Sequence, residues 1–69
     1  MSIGSQVAKR RRELRFTQQK LAEQMGVSFQ AISSWERGEF LPDINKLQKL
    51  AEILNTKISY LLEDRKSVV

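Results

Sequence analysis

The chain contains neither cysteine nor histidine. Without cysteine there are no disulfides, and without either residue the usual zinc ligand sets are missing, leaving only carboxylates as metal ligands. The same two absences remove most of the common nucleophiles and proton-transfer groups of enzymes. The three glycines, Gly4, Gly26 and Gly38, are too scattered to form a phosphate-cradling loop, and the carboxylates do not cluster. These absences predict a protein that is not an enzyme, with no metal, no cofactor and no small-molecule substrate. No apolar run approaches the roughly 18 residues that a membrane helix needs. The opening Met1-Ser2-Ile3-Gly4 lacks the basic-then-apolar layout of a signal peptide. The expectation is a soluble intracellular protein with no membrane partner, and a cysteine-free chain is consistent with a reducing cytosol.

What is present is short and positively polarised. Sixty-nine residues make one domain, and a core of that size rarely supplies more than roughly 3–5 kcal/mol without staples. Stability must come from tightly packed helices, with or without a partner subunit. The net charge is +4, unevenly spread. Residues 1–20 carry six basic side chains (Lys9, Arg10, Arg11, Arg12, Arg15 and Lys20) against Glu13 alone, whereas the other 49 carry six basic and seven acidic groups. One basic end on a near-neutral body suits a polyanion such as nucleic acid, although a solvated helix face would look the same.

The apolar spacing predicts five short helices and no strands. Ile3, Val7 and Leu14 mark a first helix over about residues 2–15. Thr17 caps a second, with Leu21, Ala22 and Met25 in its stripe and Gly26 at its end. Ser28 caps a third, with Ile32 and Trp35 inward and Gly38 as its stop. Pro42-Asp43 opens a fourth, with Ile44, Leu47, Leu50, Ala51 and Leu54 on one side and Asn55 as a left-handed terminator. Ser59 is expected to cap a last helix, with Leu61 and Leu62 in the core. The reading is an all-α, compact five-helix bundle: one domain over residues 1–63, and a tail over 64–69 that is frayed or begins a linker.

Residues Gln18 to Arg37 carry the sharpest signal. Two helices crossing steeply over a short turn need a small residue at the close approach, a residue tolerant of positive φ at the turn, and inward apolar groups. Ala22, Gly26, and the set Leu21, Met25, Val27, Ile32 and Trp35 meet these needs in register. An ordinary helical hairpin is the plainer alternative. The stretches Phe16-Thr17-Gln18-Gln19-Lys20-Leu21-Ala22, Ser34-Trp35-Glu36-Arg37-Gly38 and Pro42-Asp43-Ile44 resemble the lambdoid phage repressor and Cro group, the XRE family, over residues 3–63. The resemblance implies a lambda-repressor-like domain with its third helix in the major groove of double-stranded DNA, working as a symmetric homodimer in the cytoplasm, on the nucleoid.

With Ile32 and Trp35 inward, Gln30, Ser33, Ser34 and Arg37 face out, with Phe29 at the leading edge. Gln30 is the best candidate base reader, because glutamine can bond both N6 and N7 of adenine. Ser33 and Ser34 can reach bases or phosphates, or simply be small enough to enter the groove. Phe29 departs from the polar reader common in the family. It can press a thymine methyl or fold back as a core residue, and both roles stand open.

Thr17 and Gln18, at the N-terminus of the second helix, and Arg37, at the end of the third, are candidate phosphate contacts; Lys9, Arg10 and Lys20 would add long-range attraction. Arg11 lies on the apolar stripe of the first helix, where an unpaired charge is expensive. Glu36 is its natural partner, and the pair would leave the arginine edge near phosphate. The resemblance assigns the dimer contact to the region of Ile58 and Tyr60. The function so implied is a sequence-specific transcriptional regulator, a repressor in first place. The alternative is a protein-interaction module, such as an antitoxin or adaptor, or the DNA-binding piece of a longer regulator.

Overall fold

The computed structural model describes residues 3–62 and contains α1 (Ile3–Glu13), α2 (Gln18–Met25), α3 (Phe29–Arg37), α4 (Ile44–Ile53) and α5 (Ile58–Leu62). The tail expected over 64–69 lies outside the described residues. Three helices start where the sequence offers a short oxygen-bearing side chain. Thr17, Ser28 and Asp43 all adopt extended backbone and accept, through that side chain, the N–H of Lys20 (2.9 Å), Ala31 (3.1 Å) and Lys46 (2.9 Å). Each bond satisfies one of the N–H groups that a helix start leaves unpaired. At Asp43 it also holds the carboxyl below its ordinary pKa. The associated stability is present above the ordinary carboxylate range and is lost as pH falls through the lowered value.

Four helix ends share one device. Arg15, Gly26, Gly38 and Asn55 take the left-handed conformation (φ 63°, 72°, 79° and 55°). In each case the following N–H returns to a carbonyl of the last turn: Phe16 to Arg11, Val27 to Ala22, Glu39 to Ser34 and Thr56 to Ala51, at 2.9 to 3.1 Å. This paired closure satisfies the orphan carbonyls of a helix terminus. At Arg15 it happens without glycine or asparagine, so nothing in the local sequence marks the stop, and α1 ends at Glu13 rather than near residue 15.

The core joins Val7 of α1, Leu21, Ala22 and Met25 of α2, Ile32 and Trp35 of α3, Leu47, Leu50, Ala51 and Leu54 at α4, and Leu61 of α5. α1 packs on α3 and α5, α2 on α3 and α4, and α4 on α5. Among the described residues there is no strand, and no helix is long and apolar enough to cross a membrane.

Three expectations need correcting. Ile44 shares the periodic face of α4 but is 59% exposed. It sits in the first turn, and periodicity marks a face without saying how far along it neighbours reach. Leu62 is exposed beside a fully buried Leu61, because it lies about 100° round from Leu61 at the last position of the short α5, on a side left uncovered. Ser59 does not cap α5, which already begins at Ile58, with the Tyr60 N–H bonded to the Lys57 carbonyl.

Arg10 is diverted from the surface role expected of it. Its Nε donates to the Leu54 carbonyl (2.8 Å) and its Nη2 to the Asn55 carbonyl (3.2 Å), while Nη1 meets Glu13 Oε1 (3.1 Å). A cation is thus held on the carbonyl-rich end of α4, where the helix dipole favours it. Arg10→Met should destabilise the fold by about 1.5–3 kcal/mol, the range for hydrogen bonds to charged groups. Urea denaturation measures this, and a midpoint equal to the parent's would return Arg10 to the surface-charge role.

Candidate nucleic-acid interface

α3 is fastened from behind. Ile32 and Trp35 are buried, and at the end of the helix Glu36 takes three hydrogen bonds. Arg11 Nε donates to Oε2 at 2.7 Å, Arg11 Nη2 to Oε1 at 3.1 Å, and Gln18 Nε2 to Oε1 at 2.8 Å. Arg11 also donates through Nη1 to the Phe16 carbonyl at 2.8 Å. The Arg11 and Glu36 side chains are only 12% and 6% exposed. One carboxylate therefore ties α1, the start of α2 and the end of α3 together. This two-point contact uses the fork geometry in which arginine binds carboxylates most firmly.

Gly4 completes the attachment, and the sequence reading missed it. A methyl group at that position would lie 2.1 Å from the Trp35 carbonyl oxygen and 2.9 Å from that of Glu36. α1 and α3 thus touch backbone to backbone, which only glycine permits. One signal was available. An isolated glycine inside a helical pattern costs about 1 kcal/mol relative to alanine, so it usually has a packing reason. Gln6, also missed, is fully buried and donates to the Tyr60 carbonyl at 3.1 Å, tying α5 to α1.

With its rear fixed, α3 turns Phe29, Gln30 and Arg37 to solvent and leaves Ser33 and Ser34 half-buried. Phe29 is 45% exposed and lies outside the core cluster. Arg37 is not extended into solvent: its Nε and Nη2 each donate to the Glu39 carboxylate at 3.0 Å, and Nη1 donates to Ser33 Oγ. This mutual bond raises the pKa of Arg37 and lowers that of Glu39.

At the start of α2 both candidate side chains are engaged, Thr17 with the Lys20 N–H and Gln18 with Glu36. What that end offers outward is therefore its first-turn N–H groups and the positive end of the helix dipole. Lys9, Arg12, Arg15 and Lys20 are exposed. Ile58 and Tyr60 are half-buried, and a shallow hollow lined by Thr56, Lys57, Ser59 and Tyr60 lies beside them.

The chain matches the helix-turn-helix family profile over residues 7–61. It is 37% identical over 62 residues to an uncharacterised HTH-type transcriptional regulator of Sinorhizobium medicae (strain WSM419), covering 90% of this chain and 45% of that one. It is 38% identical over 61 residues to repressor protein C2 of Salmonella phage P22, covering 88% of this chain and 28% of the repressor. The crystal structure of the P22 c2 repressor with synthetic operator 9T superposes with a TM-score of 0.86 and 36% identity, covering 91% of this chain and 96% of that one. The chain thus spans less than half the length of these two curated relatives. With the profile running through α1 to α5, the chain belongs to the helix-turn-helix family, in its phage repressor and Cro (XRE) group.

Proposed function

We propose that residues 1–63 form a sequence-specific DNA-binding unit of a transcriptional regulator, a repressor in first place, that reads the major groove with α3. The observation that carries this reading is the outward row of α3, Phe29, Gln30, Ser33 and Arg37, on a helix anchored from behind by a buried ion pair and flanked by exposed basic side chains. An α-helix with its side chains is about 10–12 Å across and fits a groove about 12 Å wide. In this reading Gln30 bonds an adenine edge, Phe29 presses a thymine methyl, and Ser33, with Ser34 behind it, lines the approach. Phosphates meet the first-turn N–H groups at Thr17 and Gln18, the outer edge of Arg11, and Arg37. A relative solved on a synthetic operator supports the assignment. Two copies joined around Ile58 and Tyr60 would span half-sites about 34–36 Å apart.

Selection from a randomised duplex pool at two salt concentrations tests this. The expected result is a short two-fold symmetric motif whose enrichment is lost in Gln30→Ala. Sedimentation on the selected duplex should give two chains per site, and one chain per site would remove the dimer. Steeply salt-dependent binding with no motif would reduce the protein to a phosphate binder.

A second reading has its own observation. Phe40, Leu41 and Ile44 are each exposed between the end of α3 and the first turn of α4, and several exposed apolar side chains in one short segment suit a protein contact. A protein-interaction module becomes the leading reading if no duplex binds even at low salt.

A further inference from the structure

Arg37 leaves α3 with both edges of its guanidinium occupied. Glu39 takes Nε and Nη2 on its two carboxylate oxygens, each at 3.0 Å, and Ser33 Oγ takes Nη1. The carboxylate is delivered by a fixed turn. Gly38 is left-handed (φ 79°), and the Glu39 N–H is bonded to the Ser34 carbonyl at 3.0 Å. The Arg37 and Glu39 side chains are 54% and 53% exposed. Exposed pairs of this kind add little to stability, so the consequence of the pair lies in what Arg37 remains available to bind. A carboxylate facing a guanidinium fork offers two oxygens in line, as a phosphate does, and the O6/N7 edge of guanine offers two acceptors in the same way.

We propose that Glu39 is an internal competitor for Arg37, a specificity-determining residue that keeps Arg37 and Ser33 engaged until DNA supplies an equivalent two-point contact. This rests on the DNA-binding reading above. A loosely seated duplex offers single, shifting phosphate contacts and does not displace the carboxylate, whose charge also repels the backbone. A duplex seated in register aligns two acceptors with the fork and does displace it. Glu39 therefore weakens indiscriminate binding more than fitted binding, and releasing Arg37 also uncovers Ser33 at the centre of the proposed reading face.

The test is a double-mutant cycle of wild type, Glu39→Gln, Arg37→Ala and the double variant. The two probes are a mixed-sequence duplex across a salt series and heparin, a polyanion with no base edges. Both residues are exposed, and melting temperatures check that all four proteins fold. Glu39→Gln should tighten mixed-sequence binding about tenfold, as one charge-assisted contact is gained, and should steepen the salt dependence by about 0.9 in logarithmic slope. Arg37→Ala should weaken mixed-sequence binding several-fold less in the wild-type background than in the Glu39→Gln background, because Glu39 already holds the guanidinium. In the Glu39→Gln background it should abolish the whole gain. The ratio of fitted to mixed-sequence affinity should fall in Glu39→Gln.

Additive effects of the two substitutions would overturn the proposal, because charge removal alone acts equally in both backgrounds. On heparin, Glu39→Gln should elute at higher salt than wild type, and Arg37→Ala should reverse that shift only where Glu39 is absent. A chain that binds heparin but no duplex would remove the DNA reading, and the heparin cycle would still decide whether Glu39 withholds Arg37.

Discussion

Replacing Gly4 by alanine is expected to lower the melting temperature by about 10 °C, although alanine is the better helix former. Propensity alone predicts a gain of about 1 kcal/mol. Against it stands a methyl group 2.1 Å from the Trp35 carbonyl oxygen, with backbone on both sides and no flexible side chain to move aside. Relief requires α1 and α3 to separate, which loosens Val7 and Trp35 in the core. Overpacking of this kind costs roughly 3 kcal/mol, leaving a net loss of about 2 kcal/mol. At about 4–8 °C per kcal/mol in a domain of this size, the shift is easily read by thermal denaturation. Because α3 is the displaced element, duplex affinity should fall as well. A melting temperature equal to or above the parent's would show that the two helices do not meet at Gly4.

The second large effect is expected at the ion pair between α1 and α3. Arg11→Met leaves the Glu36 carboxylate nearly buried with only the Gln18 amide beside it. Removing one partner of a buried pair costs about 3–5 kcal/mol. Since Arg11 retains 12% exposure, the lower end, about 3 kcal/mol, is expected here. Glu36→Gln preserves the shape and an acceptor oxygen, so it should cost about 1–2 kcal/mol. The double variant should be more stable than the sum of the two losses by about 1.5 kcal/mol or more, as for groups in direct contact. Denaturant titration of the three variants measures the coupling. Strict additivity would mean that the two side chains act independently and that the contact is a surface bridge of negligible worth.

Much of the scaffold was readable because its signals are local. Thr17, Ser28 and Asp43 each cap the helix that follows by a bond to an N–H three residues on, a distance at which the chain order dictates the geometry. Gly26, Gly38 and Asn55 stop helices for an equally local reason, the ease with which they adopt positive φ. Arg15 does the same work against its intrinsic preference, held by Arg11, whose guanidinium bonds the Phe16 carbonyl and whose own carbonyl receives the Phe16 N–H. No sequence pattern announces that. The apolar period identified Leu47, Leu50, Ala51 and Leu54 as core and overreached at Ile44 and Leu62, since a period describes direction and not coverage.

The candidate site divides along the same line. The rotation of α3 was legible from residue order, because Ile32 and Trp35 turn inward and leave the other side out, and Arg11 called for Glu36 because a charge on an apolar stripe needs a counter-charge. How three neighbouring functions are shared among similar arginines depends instead on packing. Arg10 closes the end of α4, Arg11 anchors α3, and Arg37 is held by Glu39. Arginine's long stem reaches acceptors far along the chain, 44 residues away for Arg10 and Leu54 and 25 for Arg11 and Glu36. Which acceptor it meets depends on how helices distant in sequence come to lie side by side. The close approach at Gly4 is of the same kind: the space that forbids a methyl group belongs to another helix, and it exists only once the two have packed.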